Sequence, residues 1–269
     1  MKKNGSHAIY LYCLARSDLL PAIEGIGLDG QSPLFLRTSQ DIVAVLSAVS
    51  LDEFSGPYAE SRMKDISWIG PRACQHEKVV EQVMRHSPVL PARFGTIYSS
   101  LAALEKLFEM HHAAISRFLD QVADKEEWSV KGLMDRAKAK EDLFSVILAR
   151  EAGRLASSSP GMRYFQEQRI RSGVEKDLRS WLKEVCIQIQ NDLSCYASDF
   201  CERKVLSRDA TGMDTDMVLN CAYLVPRDLA GDFRARIDRA NAEHTKRGLV
   251  LQPTGPWPPY SFCPFLGME

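Results

Sequence analysis

Met217-Val-Leu-Asn-Cys-Ala-Tyr-Leu-Val225, the helix-like stretch that follows from Asp228, and Leu249-Val-Leu251 decide the fold of the second half of this chain. In the first run Leu219, Cys221, Tyr223 and Val225 alternate with Asn220, Ala222 and Leu224, the two-residue period of a pleated strand. Asp228 is the expected N-cap of a helix carrying Leu229, Phe233, Ile237 and Ala240. Lys246 and Arg247 suit the negative end of that helix, and Gly248 suits a left-handed C-cap. A strand then begins at Leu249.

Working back from this unit, Lys204–Leu206 reads as a further strand before a polar loop. Ahead of it Val174, Leu178, Leu182, Val185, Ile189, Leu193, Tyr196 and Phe200 recur at three- or four-residue steps, the apolar stripe of a very long helix. Ser157-Ser-Ser-Pro-Gly161 separates that helix from an earlier helical stretch, and Trp128–Leu133 reads as a strand. The resulting order, β-α-β-β-α-β with an extra helix, is the ferredoxin-like plan, expected over residues 125–253. That plan alone implies no function.

The first 124 residues read as a separate α+β domain. His7–Leu14 is rich in β-branched and aromatic residues, as a buried strand is. Leu34–Arg37 and Ile42–Ser47 flank Ser39-Gln40-Asp41 as a hairpin would. Gly70-Pro71 is the expected start of a helix with Ala73, His76, Val80 and Val83 on one face. Val89–Phe94 reads as a short strand, and Leu101, Leu104, Phe108, Ile115 and Leu119 share a helical stripe. The charged run Ala123–Glu127 is the expected junction. Residues 254–269, rich in proline and aromatics, are expected to be a tail.

A net charge of −1 gives no reason to expect nucleic-acid binding, which relies on a clustered basic excess, and leaves local basic patches open. No apolar run approaches the ~20 residues of a membrane span, and the short apolar segment near the start breaks at Arg16 and Asp18. Seven scattered cysteines without a C-x-x-C pair point to free thiols in a reducing compartment, and the expected location is cytoplasmic. No metal or cofactor motif is present: His111-His112 point about 100° apart on a helix, and Asp209, Asp214 and Asp216 lack calcium-loop spacing. No phosphate-binding glycine loop or nucleophile elbow occurs either. The sequence reads as no enzyme, with no cofactor.

Three runs carry more specific information. Val89-Leu-Pro-Ala-Arg-Phe-Gly-Thr96 follows His76-Glu77 on the upstream helix. Glu127-Trp-Ser-Val-Lys131 lies at the junction. Leu251-Gln-Pro-Thr-Gly-Pro-Trp-Pro-Pro-Tyr-Ser-Phe262 closes the second domain. Together, in this order, they resemble the signatures of the GvpL/GvpF gas vesicle proteins, with His76, Glu77, Arg93, Phe94, Gly95 and Trp128 in the signature positions. The resemblance implies an α+β domain followed by a modified ferredoxin-like one. It also implies a role in vesicle assembly or as a minor shell component, with the small hydrophobic shell protein (GvpA-like) and other accessory proteins as partners. F-like and L-like types stay open. A regulator binding a small molecule or RNA on its ferredoxin-like sheet is the rival reading, although the strands lack clear aromatic readout positions and a basic surface.

The physics of the signature residues gives further expectations. Arg93, inside an apolar strand, is expected to be buried and paired, with Glu77 or carbonyls as partners. His76 is expected to be a hydrogen-bonded core residue rather than a catalyst. Pro256, Pro258 and Pro259 stiffen the closing run and cannot extend a sheet interior. Two roles are open for it: a lid on its own domain, or a docking strip built from Trp257, Pro258, Pro259, Tyr260 and Phe262. Both can hold, with Trp257 inward and the later residues outward.

Overall fold

Two antiparallel sheets organise the chain, which divides into two compact units: Met1–Glu127 with Pro256–Glu269, and Trp128–Gly255. The computed structural model describes residues 7–54 and 59–266. The mixed helix-and-sheet class expected from the sequence is the one found.

In the first unit β1 (His7–Arg16), β2 (Leu34–Ser39) and β3 (Ile42–Ser50) are followed by the short helices α1 (Leu51–Phe54) and α2 (Ala59–Arg62) and the longer α3 (Ile66–Met84). Then come β4 (Val89–Pro91), β5 (Ile97–Tyr98) and α4 (Leu101–Val122). The strands lie in the order β2-β3-β1-β4, with β5 also paired to β1. The hairpin turn is Gln40-Asp41, with Ser39 opposite Ile42, and Gln40 takes the positive φ of 55° that the turn requires.

Central β1 is buried on both faces, which is why it reads as a nearly continuous apolar run. A register shift between Leu11 and Cys13 switches its parity. Ala8, Tyr10 and Tyr12, then Cys13 and Ala15, therefore all join the cluster that holds Val79, Val80 and Val83 of α3. Helix α4 packs on β1 and β4 through a stripe of buried residues including Leu104, Phe108, Ile115 and Leu119.

Helix α3 starts earlier than Gly70-Pro71. Asp65 is its N-cap, its carboxylate accepting the Ser67 N–H, and Pro71 lies inside the helix. Pro71 is exposed there, where water can satisfy the carbonyl that its missing N–H leaves free.

The second unit runs β6 (Lys125–Met134), α5 (Arg136–Ala156), α6 (Pro160–Ser194), β7 (Asp199–Glu202), α7 (Arg208–Thr211), β8 (Asp216–Pro226), α8 (Ala230–His244) and β9 (Leu249–Trp257). The sheet order is β7-β8-β6-β9. Each strand–helix–strand pair is thus split by a strand of the other, the interleaving of the βαββαβ plan. The core gathers Trp128, Val130, Leu178, Ile189, Leu193, Tyr223, Phe233 and Ile237, among others.

Several local expectations need correction. Helix α6 ends at Ser194, so Tyr196 and Phe200 leave its stripe, and Phe200 sits 42% exposed in β7. The strand expected at 204–206 is at 199–202 instead. Asp228 does not cap α8, because Pro226 is followed by a 3-10 turn, Arg227–Leu229, that supplies the helix entry.

The closing run is no separate tail. β9 continues through Pro253 and Pro256 to Trp257, which the prolines permit because β9 is an edge strand. The residues after it belong to the first unit.

Gly248 is the left-handed cap (φ 81°) after the 3-10 turn that ends α8. Its carbonyl accepts the Asp135 N–H at 2.9 Å, and a Cβ there would lie 2.7 Å from the Asp135 carbonyl oxygen. Gly248→Ala is therefore expected to destabilise the second unit by about 2 kcal/mol through strain and overpacking. A denaturant melt in which the variant matches the parent would contradict this.

Candidate interaction site

The strand β4 stops at Pro91, and Arg93-Phe94-Gly95-Thr96 forms a turn closed by the Thr96 N–H donating to the Arg93 carbonyl at 3.1 Å. Gly95 has φ 90°, the left-handed value that the third residue of a type II turn needs. This geometry corrects the expectation for Arg93. It is the first residue of a turn rather than a strand residue, and its side chain is exposed. Phe94 points the other way, its ring centroid 6.3 Å from Tyr10 and 6.0 Å from His76.

Beneath the turn lies a buried hydrogen-bond chain. The Gly95 N–H donates to the Tyr10 hydroxyl at 3.0 Å. Tyr10 then has its own proton to give to His76 Nδ1, 2.9 Å away. That makes Nδ1 the acceptor and places the ring proton on Nε2, which faces the Tyr260 hydroxyl at 3.2 Å. Tyr260 donates in turn to Glu77 Oε2 at 3.0 Å.

His76 is 2% exposed. Burial pushes its pKa down to about 4, outweighing the Ala92 carbonyl that favours the charged ring, so the imidazole is neutral at neutral pH, as the chain of donors requires. Burial also raises the Glu77 carboxyl, against the hydrogen bond from Tyr260 that favours its ionised form. Glu77 therefore pairs with Tyr260, the role that the sequence pattern offers to Arg93.

The segment after β9 closes over this chain. Pro258 and Pro259 are buried, Tyr260 and Phe262 half-buried, and Trp257 is 38% exposed. The inside-outside assignment expected from sequence is thus reversed at its start. A second latch lies beside the first: Glu127, 2% exposed, accepts the Ser261 N–H on Oε2 and the Ser261 hydroxyl on Oε1, both at 2.8 Å. Burial pushes the Cys263 thiol up to about 12, leaving it protonated and unreactive. Leu266 is buried, while Phe265 is 79% exposed. Trp128 sits in the core of the other unit, its ring 6.4 Å from Phe233.

Next to the latch a groove of about 770 Å³ opens in the first unit. Its walls are Leu51 and Phe54 of α1, the Arg93–Ser99 stretch, Leu107 and Met110 of α4, and Leu266. Met110 is 71% exposed at its edge. The Tyr98 hydroxyl in its wall is buried without a hydrogen-bond partner among the described residues. The groove can take an apolar segment. Sequence reasoning gave no role to Tyr10, nor to Glu127 and Ser261, although the last two stand inside the signature runs. Tyrosines in a buried strand must find partners for their hydroxyls, and that was the available signal.

The comparisons with known proteins agree with this architecture. The family model described as gas vesicle synthesis protein GvpL/GvpF matches residues 8–264. Gas vesicle protein L of a Streptomyces species is 28% identical over 259 residues, covering 94% of this chain and 92% of its own. Gas vesicle protein F of Dolichospermum flosaquae is 25% identical, covering 86% of this chain and 87% of its own. The crystal structure of gas vesicle protein GvpF from Anabaena sp. superposes with a TM-score of 0.71 at 18% identity, covering 97% of this chain and 99% of that one. That of GvpF from Microcystis aeruginosa gives 0.68 at 18% identity, covering 96% and 99%. With the family match running through both units, the chain belongs to the GvpL/GvpF family of gas vesicle proteins.

Proposed function

We propose that this chain is a non-enzymatic gas vesicle protein that binds the small hydrophobic shell protein (GvpA-like). It supports vesicle formation as an assembly factor or minor component, in the cytoplasm at the vesicle and alongside other accessory proteins. The apolar groove beside the Arg93–Thr96 turn, with Met110 and Phe265 exposed nearby, carries this reading. An apolar segment of an unassembled shell protein is unstable in water, and burying it returns about 25 cal/mol per Å². The closing segment then divides its work. Pro258, Pro259 and Tyr260 hold the segment in place, while Trp257, Phe262 and Phe265 supply apolar contact.

Co-expression with the shell protein of the same vesicle system, read as co-purification, tests the proposal. Met110→Ser combined with Phe265→Ser alters two exposed positions, so the fold is expected to survive, while retained shell protein falls at least fivefold. Retention equal to that of the parent chain would remove the groove from the reading. No association with the parent chain would remove the partner.

A further inference from the structure

The distal half of the α5–α6 hairpin contradicts the rules for a helix pair that stands alone. From Val146 to Gly173 the pair buries only Leu155. It exposes Met162 (54%), Tyr164 (61%) and Phe165 (71%) instead. Gly153, Gly161 and Gly173 lie in its helices, where glycine is a weaker helix former than alanine, and nothing lies within 4 Å of where their Cβ atoms would be. Small residues facing open space are what a closely approaching helix needs.

Of these residues Met162, Phe165 and Gly173 line one groove of about 500 Å³ along one side of the hairpin. On α5 it is lined at Ile147, Glu151 and Arg154, and on α6 from Met162 through Phe165 to Asp177. Those steps of three and four residues each define one face of a helix, so the groove is the seam into which a third helix would pack. The stretch from Met162 to Asp177 spans about 22 Å, roughly four helical turns. Gln166 lines the seam, and its side-chain oxygen Oε1 is buried with no hydrogen-bond partner among the described residues.

Charge selects the occupant. Between Val146 and Asp177, the full length of the seam, stand five arginines (150, 154, 163, 169, 171) and Lys176 against Glu151, Glu167, Glu175 and Asp177. The three glutamates are already engaged, Glu151 by Arg154, Glu167 by Arg163, and Glu175 by Arg136 and Lys140. Arg171 lies over the Phe144 ring. Arg150 and Arg169 are exposed and make no ion pair among the described residues. A second copy of the hairpin would carry the same net positive charge, which disfavours self-association. We propose that this seam docks an amphipathic helix of about four turns whose apolar face is flanked by carboxylates, completing a three-helix bundle. The site is separate from the groove of the first unit and does not depend on the shell-protein reading.

The test uses the full chain and a fluorescein-labelled 16-residue helical peptide with leucines on one face and glutamates on its flanks. A twin peptide with lysines replacing the glutamates is the control. Fluorescence anisotropy is expected to show saturable binding of the acidic peptide and at least tenfold weaker binding of its twin. Met162→Ser with Phe165→Ser should weaken binding at least tenfold, and Arg150→Glu with Arg169→Glu several-fold with loss of salt dependence. Met110→Ser with Phe265→Ser should leave it unchanged, which separates this site from the first. Equal binding of the two peptides, or binding untouched by the seam variants, would overturn the proposal. So would binding of phosphatidylglycerol vesicles without the peptide, or a dimer in light scattering that Phe165→Ser dissolves.

Discussion

A chain ending at Trp257 is expected to lose the stability of its first unit, with the unfolding midpoint of that unit falling by roughly 10–20 °C. The deleted residues do more than cover a surface. Without Ser261, Glu127 loses a backbone donor and a hydroxyl donor. Without Tyr260, His76 Nε2 and Glu77 Oε2 both lose their partner. A buried polar group left unsatisfied costs about 1–3 kcal/mol, more when charged. Leu266 and the two buried prolines are lost as well. A combined loss of about 5 kcal/mol is comparable with the whole stability of an ordinary domain, and each kcal/mol shifts a midpoint by about 2–4 °C at this chain length.

Hydrogen exchange reads the two units separately. Amides of β1 and α3 should lose protection, while those of β8 and α8 keep theirs. Unchanged protection in β1 would mean that the segment merely lies on the surface. The single change Tyr260→Phe isolates the first latch and should cost about 1–3 kcal/mol. Truncation is for the same reason a poor probe of partner binding, since it unfolds what it is meant to expose.

The elements that the sequence revealed are those with a clean period and a local stop signal. The hairpin at Leu34–Ser50 has two apolar runs and a turn that needs one positive φ. The alternation at Met217–Val225 and the Lys246-Arg247-Gly248 ending are equally local. What failed was non-local. The stripe of α6 reads on through Tyr196 and Phe200 because an apolar residue at the right step looks the same in a helix and in the strand that follows. Val89–Phe94 is apolar and so draws Arg93 into a strand, yet Pro91 ends the pairing and Gly95 turns the chain. The partner of Glu77 lies 183 residues away, and no periodicity reports such a distance. The proline run is rightly excluded from a sheet interior, but an edge position admits it, and only the strand order decides which applies.

Acidification should weaken the first unit through His76, by about 3 kcal/mol between pH 6.5 and 4. The folded pKa, about 4, lies below the 6.5 of an unconstrained histidine. Above pH 6.5 the ring is neutral in both states and contributes no pH dependence. Between the two values the unfolded chain binds a proton that the folded chain refuses, so stability falls as pH falls, by about 1.4 kcal/mol for each pH unit in that window. Glu77 acts in the opposite sense, because its raised folded pKa lets the native state take up a proton first.

His244, also depressed by burial, adds a loss of the same sign in the second unit, so the measurement must be local: exchange of the β1 amides against pH. His76→Gln keeps one donor and one acceptor but cannot titrate. It should be less stable than the parent at pH 7.5 and nearly insensitive from there to pH 5. An acid loss as steep in His76→Gln as in the parent would place the sensitive group elsewhere.

The structural consequence follows from the direction of the donors. A protonated ring donates at both nitrogens, so Nδ1 would aim a proton at the Tyr10 hydroxyl, which already accepts from Gly95 and would have nowhere to place its own. The Gly95 turn, β1 and Tyr260 are joined through this one neutral ring, and charging it loosens all three together.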